Sequence, residues 1–461
     1  MPGSPVELPE AVEHAEAAVV SIATPLNLKE PLPGHQFPLG AMYYSLELVR
    51  SGASLRATAK ILRWMLPSMN LGKRSPCYQT VRGWMLRFGL HSVKVARPRG
   101  DDWIWIVDHT QQLGDKKVLL IVGMRLSDWL AGRPLEHSDL ELLAVLPEAH
   151  GTGESLDKHL ETLCRRVGMP RAIISDGARD LRLGVTLFCA RYPQQSIAWL
   201  YDIKHFTAVL LKRELANNPT WKEFTAAANR TKQQCSVTAL AALHPPNQRG
   251  KARYLNLQEL VAWGGKMLTL LDHPHGVEQL GLDAAKCEAR LGWLREYREA
   301  IEEWRVAMQV VEITETHVRR NGVYRGLVEK LSPQLLVAAT SPLSQRLRER
   351  LLIHLAEQAE QTTGNEKLPA SSEVLESLIG SYKYLQGEQS HHGVTSLVLG
   401  MGTLMTRNLL QTIPVALSAI RNRDLTTWCR EQLGPTLHGC RQRLHNLLSH
   451  SLKPDPQPSL S

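Results

Sequence analysis

The chain has 461 residues, of which 43% are hydrophobic and 21% charged, a balance that excludes wholesale disorder and allows more than one core. Its seven cysteines are scattered without a CxxC pair, which argues against a disulfide framework and a cysteine-ligated zinc site. No apolar run is long enough for a membrane span, and the net charge of +9 favours a polyanionic partner.

The first part of the chain divides into an arm and a basic helical region. Residues 1–40 are rich in Pro and Gly, which predicts an irregular arm without the features of a signal peptide. Residues 41–100 predict short helices, and from Ser51 to Gly100 they contain ten Lys or Arg and no Asp or Glu. A segment that carries cations alone indicates a nucleic-acid-binding surface.

The helices of this region follow each other as in a helix-turn-helix. One helix opens at Ser54 and stops near Pro67, and the next runs from Ser75 to Phe88. In that motif the second helix turns polar and basic side chains outward to a major groove. The predicted DNA-binding residues are Arg56, Lys60, Lys73, Arg74, Gln79, Thr80, Arg82 and Arg87. The alternative interpretation is an ordinary three-helix bundle with a basic surface.

Residues 101–208 change to strands that alternate with helices. Runs of β-branched and aromatic residues predict strands over 103–107, 117–124, 140–146, 171–175 and 196–201. Helical periods lie between the last three of these strands. The first three strands suit antiparallel pairing and the last two are reached through helices, so we expect an α/β fold with a mixed sheet.

Two aspartates follow predicted strands at matching places, Asp108 after the first and Asp176 after the fourth. An ionised carboxylate is costly beside apolar strands, and two neighbouring carboxylates repel unless a cation lies between them. Mg²⁺ prefers such oxygen ligands and often uses one or two carboxylates together with substrate phosphates. The alternative is that each aspartate starts a solvated loop or caps a helix.

Helical periods dominate residues 209–368 and predict an all-α insertion. A short helix follows within residues 369–410, and residues 411–461 form a basic C-terminal tail. In the short helix Glu376, Gly380 and Lys383 share one face by their i, i+4 and i+7 spacing. Glu376 is then suited to a metal site and Lys383 to a DNA phosphate, although the same pattern occurs on ordinary surface helices.

Together these segments resemble DDE-type transposases of the bacterial insertion-sequence kind. The resemblance covers about Asp101 to Thr406 and depends on IWIVDHT, AIISDGARDL and VLESLIGSYK, which contain Asp108, Asp176 and Glu376. It implies an RNase H-like mixed sheet with helices on both faces, preceded by the helix-turn-helix region and interrupted by the all-α insertion. The family also places an acid and a histidine after strand five, which makes Asp202 and His205 candidate supporting residues, with Lys383 as a third.

The resemblance implies that Asp108, Asp176 and Glu376 are both the catalytic and the metal-binding residues. They are expected to hold two Mg²⁺ ions, with Mn²⁺ as an alternative, for DNA hydrolysis and strand transfer. The expected partners are the terminal inverted repeats of a transposon, target DNA and further copies of the chain, with no membrane partner. The expected location is the bacterial cytoplasm, in association with the nucleoid.

Two other functions stay open at this point. One is a non-catalytic DNA-binding regulator derived from a transposase, and the other is an RNase H-like nuclease that cuts without joining. Glu373 lies one turn before Glu376 and is a rival for the third acid. The lesser rivals for places in the site are Asp101, Asp102, Asp180 and Asp202.

Overall fold

The structure is a computed structural model that describes residues 26–110, 117–148, 151–247, 257–387, 395–434 and 437–451. A five-stranded sheet carries helices on both of its faces. Residues 1–25 of the predicted arm and residues 452–461 of the predicted tail lie outside the described ranges. Within those ranges, no helix has both the length and the apolar character that crossing a membrane requires.

Four groups of elements follow each other along the chain. Before the sheet lie α1 (Leu39–Arg50), α2 (Leu55–Ser68) and α3 (Tyr78–Lys94). The sheet and its crossovers contain β1 (Trp103–Thr110), β2 (Lys117–Arg125), β3 (Glu141–Glu148), α4 (Gly153–Val167), β4 (Pro170–Ser175), α5 (Arg179–Arg191) and β5 (Ala198–Tyr201). Next come α6 (Ile203–Leu215), α7 (Pro219–Cys235), α8 (Leu257–Leu271), α9 (Pro274–Gln279), α10 (Ala284–Leu291), α11 (Arg298–Asn321), α12 (Leu327–Ala338) and α13 (Pro342–Ala359). The last group is α14 (Glu373–Gly387), α15 (Met401–Met405), α16 (Leu409–Ala419), α17 (Asn422–Trp428) and α18 (Leu437–Ser451).

The strand order in the sheet is β3-β2-β1-β4-β5. β1 pairs antiparallel with β2, and β2 pairs antiparallel with β3, whereas β1, β4 and β5 are parallel to one another. β4 and β5 are each reached through a helix, as parallel neighbours require. The prediction of an α/β fold with a mixed sheet and helices on both faces is confirmed.

β1 is longer than the sequence predicts. Its antiparallel pairing with β2 continues to Thr110, opposite Val118, while its parallel pairing with β4 stops at Val107, opposite Ser175. The prediction that Asp108 follows the end of the strand is therefore wrong on the side of β2 and right on the side of β4. The antiparallel ladder supplies the extra hydrogen bonds that keep Asp108 in extended backbone.

Side chains alternate between the two faces of β1, and each face has its own core. Trp105 and Val107 pack with the helices α4 and α5, whose Leu160 and Phe188 lie in the same apolar cluster. Ile106 belongs to the other cluster, which continues into the helices before and after the sheet. Asp108 has the parity of Ile106, so its side chain lies on the face that α14 contacts.

Helix α3 is the centre of a bundle built from both ends of the chain. α1 and α2 contact it on one side, and α15, α16 and α17 contact it elsewhere, so part of the predicted C-terminal tail packs on the N-terminal helices. Gly89 allows the closest approach, since a Cβ there would lie 1.7 Å from the backbone oxygen of Leu399. The helices before the sheet and those after it therefore share one core.

The described residues between β5 and α14 are mainly helical, as predicted, and α11 is the longest helix among them. α11 contacts α8, α12 and α13, and its Trp304 meets Trp221 of α7 edge to face at 4.7 Å. An isolated bridge between Val323 and Leu368 brings the end of α11 beside the segment that leads into α14. The insertion therefore reaches the part of the molecule where the predicted third acid lies.

Candidate active site

Three aspartates lie side by side at the carboxyl edge of the parallel strands. Val107 pairs with Ser175, and Ser175 pairs with Tyr201, so the next residues of the three strands, Asp108, Asp176 and Asp202, follow in register. Gly177 makes the turn after Asp176 possible, because its φ is +68° and a Cβ there would lie 2.0 Å from the Tyr201 ring. The sheet itself thus gathers acids that are far apart in sequence.

Asp108 and Asp176 form the least neutralised pair of this edge. Burial of the carboxylate and the nearby charge of Asp176 raise the pKa of Asp108 to about 7, against the opposing effect of His205. One oxygen of Asp108 accepts a hydrogen bond of 2.7 Å from the His109 N–H, and one oxygen of Asp176 accepts one of 2.9 Å from the Ala178 N–H. Each carboxylate is therefore oriented by a backbone N–H of a neighbouring residue. The two carboxylates also repel each other.

His205 is the cation at the centre of the acids. Its Nδ1 lies 3.3 Å from Asp202 Oδ1 and 3.5 Å from Glu376 Oε1. Burial lowers the pKa of His205, but Asp202, Glu376 and Asp176 outweigh burial and raise it to about 9. The imidazolium therefore lies between the strand-end aspartates and the helix that carries Glu376.

Asp202 is fully buried and ties three elements together. It caps α6 by accepting a 2.9 Å hydrogen bond from the His205 N–H, and its other oxygen accepts one from the Ser372 N–H just before α14. Burial raises the pKa of Asp202, but the bonds from His205 and Ser372 bring it below its usual value. A second tie joins the Ile203 N–H to the Ala370 carbonyl at 3.1 Å. The start of α14 is thereby fixed to the end of β5.

Glu376 and Glu373 lie one turn apart on α14 and differ in their partners. Glu373 accepts a 2.9 Å hydrogen bond from Arg319 Nη1 and lies 3.4 Å from Lys204 Nζ, and these cations lower its pKa despite burial. Glu376 lies 3.7 Å from Lys204 Nζ, and its Oε1 is buried without a hydrogen-bond partner. Burial raises the pKa of Glu376 against His205 and Lys204. Glu376 thus has ion-pair contacts to His205 and Lys204, but its Oε1 accepts no hydrogen bond.

Sequence reasoning missed the charged residues that surround these glutamates. Lys204 lies inside the Asp202–His205 segment, whereas Glu315 and Arg319 come from α11 of the insertion. Burial raises the pKa of Glu315 to about 7, and the Thr207 hydroxyl donates to its carboxylate. The i, i+4 spacing of Glu315 and Arg319 is a weak signal that many surface helices share.

The other predicted site residues lie further out. Gly380 and Lys383 are on the exposed side of α14, while Leu378, Ile379 and Tyr382 face the core. Asp101 and Asp102 precede β1 at the opposite end of the strand, where Asp102 pairs with Arg125. Asp180 lies in the first turn of α5. These positions leave Asp101 and Asp102 away from the gathered acids.

The donor set fits Mg²⁺ in chemistry. Within the described ranges, no group of three or more His, Cys, Asp or Glu side chains is arranged as a metal site. Asp108 and Asp176 nevertheless supply two hard oxygen donors on neighbouring strands, and one or two carboxylates suffice for this ion. Glu376, with its unpartnered buried Oε1, lies on the other side of His205.

The predicted DNA-binding residues separate into exposed and internal ones. Arg56, Lys60, Lys73, Arg74 and Gln79 are exposed on α2, on the start of α3 and on the loop between them. Exposed Arg63 and Trp64 extend this surface, and Trp64 keeps 65% of its area exposed. The basic surface of the region is therefore mainly that of α2.

The prediction that Arg87 faces outward is wrong. Arg87 is buried and donates from Nε to the Ile420 carbonyl at 2.6 Å and from Nη2 to the Leu417 carbonyl. Arg82 is partly buried and donates to the Ser396 hydroxyl at 2.7 Å, and Thr80 contacts Cys77. The physical reason is that helices from both ends of the chain surround α3. Its arginines therefore donate hydrogen bonds to neighbouring segments of the chain instead of facing solvent.

Comparison with known proteins gives distant likeness to solved structures alone. No protein-family model and no curated protein matches the chain. Among solved structures, the Drosophila P element transposase strand transfer complex is similar with a TM-score of 0.38 and 11% sequence identity, over 85% of this chain and 93% of that chain. Similarity at that level establishes neither a shared fold nor a shared activity.

Proposed function

We propose that the chain is a DDE-type DNA transposase, which binds the ends of a transposon and catalyses metal-dependent phosphodiester hydrolysis and strand transfer. The observation that carries the proposal is the register of the sheet, which puts Asp108 and Asp176 at neighbouring ends of parallel strands. The contact of α14 with β1 brings the helix of Glu376 to the same edge. These are the three acids that the family motifs in the sequence select.

The proposed ligands are Asp108, Asp176 and Glu376, and the proposed ions are Mg²⁺, with Mn²⁺ as an alternative. Bound there, a pair of such ions would activate the attacking water or 3′-hydroxyl and stabilise the leaving 3′-oxygen. Asp108 is suited to share an ion with Asp176, because the charge of Asp176 opposes its ionisation and a cation would offset that repulsion. His205 must withdraw from Glu376 for that carboxylate to join the other two.

The side chains around these acids have supporting roles in this proposal. Asp202 holds His205 and the start of α14 in place. Lys204 and Arg319 donate hydrogen bonds to Glu373, whereas Glu376 has only the longer ion-pair contacts to Lys204 and His205, so Glu376 is the proposed metal ligand of the helix. Lys383, two turns beyond Glu376 and exposed, is suited to neutralise a phosphate of the bound DNA.

The surface of α2 is the proposed site that grips the duplex of the transposon end. Its exposed cations lie in a segment without a single Asp or Glu, and cations of this kind neutralise phosphates and release counterions. Since two transposon ends must be joined in one event, the active form is proposed to be an oligomer of the chain on DNA.

The test uses the full-length chain and linear DNA that carries the sequences flanking its own coding region. With Mg²⁺ or Mn²⁺ we expect cleavage at the ends and joining of the cut ends to a second DNA, and with EDTA we expect neither. Asp108→Asn and Asp176→Asn should lower both rates by more than ~100-fold, because altering groups that only support a metal ligand already costs ~10–100-fold. Both variants should still bind the DNA.

Matched controls are available on the chain itself. Asp101→Asn at the far end of β1 and Asp180→Asn in the first turn of α5 should keep cleavage close to the wild-type rate. Cutting without joining would identify a nuclease, and binding without either reaction would identify a regulator. Equal loss in the control and the test variants would overturn the assignment of the acids.

A further inference from the structure

A groove runs along α14 from Glu373 to the N-terminal helices. Its first part has a volume of about 630 Å³ and includes Arg319, Glu373, Ser377 and Arg50 in its walls. Its second part has a volume of about 470 Å³ and ends at Tyr384. Arg50, Ser377, Ser381 and Leu404 border both parts, so the two form one channel between α14 and the end of α1.

The floor of the groove is one face of α14. Ser377, Ser381 and Tyr384 recur at i, i+4 and i+7. Gly380 lies between them, and a Cβ there would meet nothing within 4 Å. The face begins with Glu373 and Ser377, so a chain-like ligand that lies in the groove would start at the end of α14 that carries the two glutamates.

The walls offer cations with spare donors. Arg319 Nε is buried without a hydrogen-bond partner, although its Nη1 binds Glu373. Arg50 is partly exposed and donates from Nη1 to the Thr406 carbonyl at 3.0 Å, with Glu47 3.7 Å away. A guanidinium has five N–H donors, so each arginine can bind an anion in addition to its present partner.

The acidic side chains that border the groove already have partners within the chain. Glu373 is paired with both Arg319 and Lys204. The Glu136 side chain accepts from the backbone of Asp139 in a capping box. The arginines are therefore the charges of this surface that can still serve an anion.

We propose that this groove holds an unpaired DNA strand, the continuation of the strand that carries the scissile phosphate. The inference rests on the proposed function. A single strand offers phosphates to Arg319 and Arg50 and the face of a base to Tyr384, whose ring is 58% exposed. In a duplex the base faces are covered by stacking on neighbouring bases, so they cannot stack on the exposed Tyr384 ring at the end of the groove.

The test measures binding in EDTA, where no cleavage takes place. Fluorescence anisotropy of the full-length chain is recorded with a labelled single strand, with a blunt duplex and with the same duplex bearing a single-stranded extension. The extension should tighten binding by the wild type. Tyr384→Ala should weaken binding of the single strand about fivefold or more, because stacking of one base contributes at least that much, while Tyr384→Phe should restore it.

Arg50→Gln should also weaken binding of the single strand and lower the salt dependence by about 0.7 in the slope of log K against log salt. Arg320→Gln is the matched control, since Arg320 follows Arg319 but points to the Gly132 carbonyl and borders neither part of the groove. Affinity for the blunt duplex should not change in the Tyr384 and Arg50 variants.

The two proposals fail in different ways. If Tyr384→Ala and Arg50→Gln bind the single strand as the wild type does, the groove is not a DNA site, whatever the enzyme cleaves. If they lose the single strand while no metal produces cleavage of any DNA by the wild type, the groove is a DNA site and the proposed chemistry is wrong. Equal weakening with the blunt duplex would also overturn the inference.

Discussion

The acids at the strand ends and the acids on the neighbouring helices differ in what neutralises them. Burial and the charge of Asp176 together raise the pKa of Asp108 to about 7. Glu373 on α14 has Arg319 and Lys204 within hydrogen-bond or ion-pair distance, and its pKa is lowered. Glu376 lies between the two sets, and its Oε1 is 3.5 Å from His205 Nδ1 without accepting a hydrogen bond.

The difference indicates which acids have their partners inside the chain. A carboxylate that accepts hydrogen bonds from two cations of its own protein, as Glu373 does, needs no further ligand, and its contribution is that of a partly exposed ion pair. Two carboxylates that repel each other at the end of a sheet gain most from a cation supplied from outside. The following predictions test whether this contrast separates the proposed chemistry from structural support.

The largest difference in cleavage rate is expected between variants of the two glutamates of α14. Glu376→Gln should lower metal-dependent cleavage by more than ~100-fold, because it removes a proposed metal ligand. Glu373→Gln should lower it by no more than about fivefold, since an exposed ion pair contributes only ~0.2–1 kcal/mol. Single-turnover cleavage rates of both variants decide the matter, and the reverse order would make Glu373 the third acid.

A smaller loss is expected for Asp202, which positions residues instead of binding metal in this proposal. Asp202→Asn should reduce cleavage by ~10–100-fold, as for other groups that orient ligands. The amide can accept from only one of its two backbone donors, the N–H groups of His205 and Ser372, through its single oxygen. The midpoint of thermal unfolding should fall as well, whereas Glu376→Gln should not lower it.

The same contrast between charges with and without internal partners separates two arginines of the basic region. Arg87→Ala should lower the free energy of unfolding by about 1–3 kcal/mol, because the Leu417 and Ile420 carbonyls lose their donor. Arg56→Ala on exposed α2 should leave unfolding unchanged and lower the salt slope of duplex binding by about 0.9. Urea denaturation and binding at several salt concentrations measure the two effects, and a lower slope for Arg87→Ala alone would restore α3 as the DNA-facing helix.

The smallest effect concerns pH. The pKa of Asp108 is about 7 in the folded chain and 3.8 in the reference state, so the folded chain binds this proton more tightly. Its contribution to stability is present at low pH and is lost as the pH rises from about 4 through about 7. In EDTA, Asp108→Asn should therefore gain thermal stability relative to the wild type as the pH rises through this range.

The charged groups that change the pKa of Asp108 provide controls for this measurement. Asp176 opposes ionisation of Asp108 and His205 favours it, so Asp176→Asn should reduce the pH-dependent difference. A saturating concentration of Mg²⁺ should abolish it if the ion binds Asp108. A difference between wild type and Asp108→Asn that does not change with pH would show that this carboxylate has an ordinary pKa in the folded chain.

Local patterns in the sequence determined the sheet, the helical insertion and the places of the acids along the chain. Runs of β-branched and aromatic residues predict the strands, and the connections that contain helices predict a mixed sheet, whereas the RNase H-like arrangement is what the family resemblance implies. Asp108 and Asp176 could be selected because each comes at an apolar strand end, and Asp202 because it follows the next strand. These signals are local, so they survive in a single sequence.

Only the tertiary structure decided the partners of each charge. Glu373 and Glu376 are alike in sequence, and they differ because α11 brings Arg319 to one of them across 54 residues. Arg87 lies in a basic segment and has the side chain of a DNA-contacting residue. It is buried because α16 and α17, from the C-terminal part of the chain, pack on α3. The strength of a charge interaction depends on the distance between the charges and on their burial. The tertiary structure sets both quantities, so neither can be read from the sequence.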